Sequence, residues 1–212
     1  MGRKSPLHDR QTSTLEIKPF DYLESSAFFP EYSNEDKLLA YGILGGIPRY
    51  LEAFDPKLSV EKNIANKIIR NGAYLHEEPD NLLKAELREI NVYSSILAAI
   101  ANGRNKVVDI ADYIHEERTK VSKYLIEKRI PCGDKETSKK SIYVIKDNFF
   151  EFWFRYEFTN NSYYAILGAN DASKGIMEDI SNLMGDVFED ICKEYLIRLA
   201  KSRKLPFIPY HL

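Results

Sequence analysis

Gly45-Gly46-Ile47-Pro48-Arg49-Tyr50-Leu51 is the stretch on which the reading of this chain turns. Ahead of it, Ser33-Asn34-Glu35-Asp36 marks a helix start, with Ser33 as N-cap and Asp36 three residues on. The apolar run Leu38, Leu39, Tyr41, Ile43 and Leu44 follows. Two adjacent glycines then stop that helix, because glycine reaches positive backbone angles at no steric cost. Pro48 opens the next helix, where its missing N–H is not needed. The pattern predicts a sharp αα-corner, in which a β-branched residue at Gly46 would be strained by a positive φ. Such a corner alone carries no functional meaning.

Outward from the corner, residues 21–89 read as helical. Ile64/Ile68 and Leu83/Leu87 form apolar stripes wide enough for a small bundle. Glu78-Pro79 reads as a breaker between helices. His76 sits in a polar loop beside two glutamates and reads as a surface histidine, since a metal would need more ligands within reach. On the N-terminal side, residues 1–12 are polar and lead into Thr14-Leu15-Glu16-Ile17-Lys18-Pro19-Phe20, whose alternation predicts one strand. No partner strand follows for about a hundred residues, and a lone strand is not stable.

Residues 89–147 read as a separate module. Tyr93–Ala101 is a buried helix stopped at Asn102-Gly103, Val107–Ile114 is a second, and Thr119–Ile126 is a short third. Ser141–Ile145 then returns as a strand beyond a basic loop. Three helices followed by strand-loop-strand is the order of a winged helix-turn-helix, whose third helix commonly enters the DNA major groove. Residues 88–147 hold 12 Lys and Arg against 9 Asp and Glu, net +3; the other residues carry 18 against 23, net −5. Lys120 and Lys123 lie on the third helix, while Lys135, Lys139 and Lys140 fill the wing. Such lysines suit phosphate contacts, which give affinity without reading sequence. Winged helices also serve as plain connectors between domains, and exposed lysines are common, so the pattern supports both readings.

Composition bounds the rest. The chain has 212 residues, 44% hydrophobic and 29% charged, with a net charge of −2, which excludes a uniformly basic nucleic-acid binder. Cys132 and Cys192 are isolated. They could form one disulfide, but nothing points to a secreted scaffold, so reduced thiols are expected. No apolar run approaches bilayer length and no signal-peptide core follows Met1. The expectation is an intracellular, cytoplasmic protein without a membrane partner.

The Gly45–Leu51 string as a whole resembles the Gly-x-Pro element of the archaeal-type P-loop ATPases of the AAA/STAND group. The resemblance extends to Ser5–Thr12 with the strand ending Lys18-Pro19-Phe20, although that family has Tyr-Gly where this chain has His8-Asp9. Lys146-Asp147-Asn148-Phe149-Phe150-Glu151-Phe152-Trp153-Phe154-Arg155-Tyr156 is similar to the family's Asp-x-Phe-x-x-Phe-Trp-Phe-Arg signature, and Thr159-Asn160-Asn161-Ser162 to the turn after it. Read as chemistry, those aromatics are core packing, and Asp147 and Arg155 are orienting charges rather than catalysts. Met184–Leu196 resembles the opening helix of a restriction-endonuclease-like C-terminal domain, in which Glu189 would be a weak metal-ligand candidate.

The resemblance implies a mainly α (α+β) chain: 1–29 the edge of an ATPase domain, 30–88 a helical lid, 89–147 a winged helix, and 148–212 an aromatic-rich helix with the start of a truncated C-terminal domain. It places Gly45, Gly46, Ile47, Pro48 and Arg49 at a nucleotide edge, with the proline near adenine. ATP and Mg2+ belong to full-length relatives. No G-x-x-x-x-G-K-[ST] occurs in this chain, so no ATPase activity and no cofactor are expected of it alone. Against the family, Pro131 shortens the third helix and removes a Leu-Gly step before the wing. The implied partners are double-stranded DNA, an ATPase domain in the same or another chain, and a second copy in a homo-oligomer. A structural connector and a truncated nuclease are the alternatives; one glutamate cannot run two-metal hydrolysis.

Overall fold

The computed structural model describes residues 17–86, 90–124, 127–129 and 142–205. The chain is mainly α. It opens with α1 (Tyr22–Ser26), whose N-cap Asp21 and Glu24 form a reciprocal capping box, each accepting from the other's N–H at 3.0 Å. Helix α2 (Asn34–Leu44) starts at Ser33, which accepts from the Asp36 N–H at 3.0 Å, as its sequence predicts. Then come α3 (Pro48–Leu51) and α4 (Val60–Asn63), the latter running on as a π-helix over Ile64–Ile69. Helix α5 (Glu78–Glu86) begins at the residues expected to break it. Pro79 lies in the first turn, where a missing N–H costs nothing.

Helices α6 (Ile90–Ala101), α7 (Val107–Ile114) and α8 (Arg118–Tyr124) follow where three helices are expected, the last two residues of the expected third (125–126) lying outside the described residues, and Gly103 at φ +84 ends α6. Strands β1 (Glu127–Arg129) and β2 (Ile142–Val144) pair antiparallel, Lys128 opposite Tyr143. Helix α9 (Asn148–Phe152) is capped by Asp147, whose carboxylate accepts from the Phe150 N–H at 2.9 Å. It passes into a second π-helix, Trp153–Phe158, and then into α10 (Thr159–Leu167). No turn occurs at Thr159–Ser162; the break comes at Gly168, ahead of α11 (Ala169–Asp179) and α12 (Ser181–Lys201).

The strand expected over 14–20 is not formed where it is described: residues 17–20 carry no sheet pairing. Phe20 instead donates its N–H to the Gly46 carbonyl at 2.8 Å. A single contact of that kind ties the chain to the corner without making a ladder.

One large apolar core draws on both ends of the sequence. Phe29, Ile43, Leu44, Leu51, Ile64 and Ile68 pack with Phe149, Phe152, Phe154, Ile176 and Leu183. The aromatic signature is therefore core, as the spacing predicts. A smaller cluster, Ile96, Ala99, Ile110, Ala111 and Val121, lies between α6, α7 and α8. Helix α6 serves both: Leu97, Ala98 and Ala101 face the large core, while Ile96 and Ala99 face the small one. That double duty explains its near-continuous apolarity.

Candidate functional site

At the corner, Gly45 is the residue with positive φ (66°, ψ −154°), a region only glycine occupies freely. Gly46 has no positive φ, so the strain expected of a larger residue there has a different cause. A Cβ on Gly46 would lie 1.9 Å from the Phe20 carbonyl oxygen and 2.7 Å from its nitrogen. Gly46 is needed because another segment's main chain passes against it. Pro48 occupies the first turn of α3 as expected. Gly45 and Gly46 are buried, Ile47 is half-buried, and Pro48 and Arg49 are exposed.

Arg49 is held rather than loose. Its guanidinium lies 5.0 Å from the centre of the Tyr74 ring, and its Nε–H donates to the Tyr74 hydroxyl. The corner is braced from below by Tyr50, whose ring centre is 4.7 Å from that of Phe149. Asn148 also donates from Nδ2 to the Tyr41 carbonyl at 3.2 Å. The Gly45–Leu51 corner and the aromatic segment after Asp147 are thus packed on each other.

Behind Tyr74 lies the feature that sequence reading missed. His76 is buried, 7% exposed, and not a surface histidine. Its Nδ1 is 2.9 Å from the Ile68 carbonyl, which can only accept, so Nδ1 carries the proton. Ile68 stands at the end of the first π-helix, where carbonyls lack intrahelical partners. His76 therefore caps that end with its side chain. Its own carbonyl accepts from Trp153 Nε1–H at 2.8 Å. The same Nδ1 is 3.4 Å from Glu157 Oε1.

Glu157 is 1% exposed, and among the described residues its Oε2 has no hydrogen-bond partner. Burial pushes its carboxyl up to about 7, because an apolar surrounding disfavours the charged form. The signal that could have found it is register: Glu157 shares a helical face with Trp153 in an aromatic-rich segment. One π-helix supplies Glu157 and the other the Ile68 carbonyl that holds His76, and such elements are often found at functional sites.

The remaining candidates are dispersed. Lys120 and Lys123 lie on α8, and Lys135, Lys139 and Lys140 fall outside the described residues. Glu189 is exposed on α12 and pairs with Lys193 at 2.7 Å. Among the described residues no three His, Cys, Asp or Glu side chains gather as a metal site. Asp147 caps a helix, and burial holds its carboxyl above the usual range. Arg155 reaches toward Asp179 at 3.9 Å. Cys192 is free and exposed; Cys132 lies outside the described residues. Among the described residues no helix is long and apolar enough to cross a membrane.

With this geometry in view, residues 153–211 match DUF234, a family described as archaeal and bacterial proteins of unknown function. The match begins at Trp153, in the second π-helix, and runs through α12. Over 215 aligned residues the chain is 38% identical to uncharacterized protein MJECL04 of Methanocaldococcus jannaschii, covering 98% of this chain and 48% of that protein. The chain therefore spans about half the length of this relative. No solved structure matches the chain.

Proposed function

We propose that this chain is the lid and winged-helix region of an archaeal-type P-loop ATPase, acting as a regulatory and DNA-contacting module rather than as an ATPase by itself. The observation that carries the reading is the corner: a Gly-Gly turn closed on Phe20, Pro48 in the first turn of α3, and Arg49 presented at the surface on Tyr74. Pro48 and Arg49 expose the outer part of that edge, while the buried glycines behind them hold it in place. Its packing against the Asp147–Tyr156 segment supports reading the two motifs as parts of one architecture.

The winged-helix part rests on α6, α7 and α8 followed by the β1–β2 pair. Tyr143 N–H also donates to the Asn105 carbonyl at 2.8 Å, so the α6–α7 connection lies along the outer edge of β2. That contact ties β2 to the connection between α6 and α7. Lys120, Lys123, Lys135, Lys139 and Lys140 would neutralise phosphates without reading bases.

The test is fluorescence anisotropy of the full chain with two duplexes of unrelated sequence over a range of salt. Affinity for both should fall with salt at a slope of about −0.9 per phosphate contact, and Lys139→Ala with Lys140→Ala should reduce its magnitude by about two. An absence of binding at low salt, or an unchanged slope, would instead favour the connector.

A further inference from the structure

Glu157 is among the residues lining a cleft of about 320 Å3, together with Arg70, Asn161, Tyr164, Gly168 and Asn170. The cleft lies where α10 ends and α11 begins, across from the end of the first π-helix. Two kinds of main-chain group meet there. The last turn of a helix leaves carbonyls without partners, and the first turn leaves N–H groups without partners. Gly168 stands as N-cap of α11 and has no side chain to cap it, so the N–H groups of Ala169 and Asn170 are left for another acceptor. A helix start of this kind favours an anion, and Arg70 is exposed on the facing segment.

At the floor the chemistry reverses. One Glu157 oxygen is turned to His76, while Oε2 is wholly buried and meets no donor among the described residues. A buried polar group without a partner is costly and rare in a settled fold. The site therefore offers an acceptor at its floor and donors at its rim, within a space the size of a small metabolite.

We propose that this cleft binds a small zwitterion of the α-amino-acid class, its ammonium group on Glu157 and its carboxylate on the first turn of α11 beside Arg70. An ammonium group bound there holds Glu157 in its charged form and supplies the donor that Oε2 lacks. The carboxylate accepts from the N–H groups that Gly168 leaves uncapped. This inference is independent of the proposed ATPase and DNA roles. It uses neither the corner nor the lysines.

The test is an NMR titration of the full 212-residue chain with the twenty L-amino acids. For each one that binds, the matching amine without the carboxylate and the matching acid without the amine are titrated too. The expected result is that at least one amino acid shifts the amides of Asn161 and Gly168–Asp171. Each half-ligand should bind at least about tenfold more weakly, since each loses a charged hydrogen-bond partner. Glu157→Gln should weaken the whole amino acid by a similar factor. Should that variant fail to fold, Ala165→Trp decides, because it fills the cleft from its exposed rim and should abolish binding. The proposal is overturned if no amino acid binds at millimolar concentration. It is also overturned if the acid alone binds as well as its parent, or if binding survives Ala165→Trp.

Discussion

His76 and Glu157 meet in the interior, Nδ1 to Oε1 at 3.4 Å, although one lies in a loop before α5 and the other in the π-helix after α9. The contact is built from both sides. Ile68 holds the imidazole through its carbonyl, and Trp153 holds the His76 carbonyl through its indole N–H. Through the same loop, Tyr74 carries Arg49 at the surface, so the corner and the buried pair share one support.

Glu157 makes the fold sensitive to pH. Its carboxyl is raised to about 7 in the folded chain by burial, against an ordinary value of 4.5 unfolded. Between those values the folded state keeps a proton that the unfolded state has lost. Stability contributed by this group is therefore full below the unfolded value and falls as pH rises toward 7. The span amounts to on the order of 3 kcal/mol. Denaturant midpoints at several pH values should show this decline in the native chain, and Glu157→Gln should reduce it, leaving the smaller part due to Asp147 and Glu194, which burial also raises. An identical profile in both would show that Glu157 is not the group responsible.

The glycines rank by what surrounds them. Gly46→Ala places a methyl against the Phe20 main chain and should cost about 3 kcal/mol or more, since backbone must move. Gly45→Ala meets nothing closer than 3.7 Å, and its cost is that of the φ +66 conformation, about 1–3 kcal/mol. Thermal melts of the two variants should place Gly46 as the more sensitive. The reverse order would mean that the Phe20 approach is relaxed in solution.

Asn63 is a buried polar hub. Its Nδ2 donates to the Tyr32 hydroxyl at 3.0 Å and the Asp55 carbonyl at 2.8 Å, and its Oδ1 accepts from the Asp55 N–H at 2.8 Å. Asn63→Ala strands several of these groups and should cost about 3 kcal/mol, lowering Tm by roughly 5–10 °C. Asn102→Ala removes an exposed side chain bonded to the Ala98 carbonyl and should cost under about 1 kcal/mol. Equal losses at the two sites would refute the hub.

Mg-ATP should not bind this chain at micromolar concentration. The sequence has no glycine-rich loop followed by Lys-Ser or Lys-Thr, so no row of N–H groups cradles phosphates. In the proposed reading the corner would supply only an edge beside the adenine. Calorimetry of the full chain with Mg-ATP checks this, and a micromolar Kd would require a phosphate site of another kind.

Local chemistry made much of the fold legible in the sequence. Ser33 caps a helix through an N–H group three residues away, Pro48 begins one, and Gly45 and Gly103 end them. Such signals act within four residues, so they survive whatever the rest of the chain does. The apolar face of α6 and the aromatics after Asp147 were equally plain, because burial follows helical spacing. Only tertiary structure decided what lies between distant segments. Gly46 is required by the Phe20 main chain, and nothing in the glycine pair distinguishes its need from Gly45's. His76 has glutamates for sequence neighbours and reads as exposed, yet Ile68, Trp153 and Glu157 enclose it. Glu157 itself is an acidic letter in a charged chain until the fold removes its water. Its unpartnered oxygen, and the cleft where α10 meets α11, exist because segments far apart in the sequence close around one point.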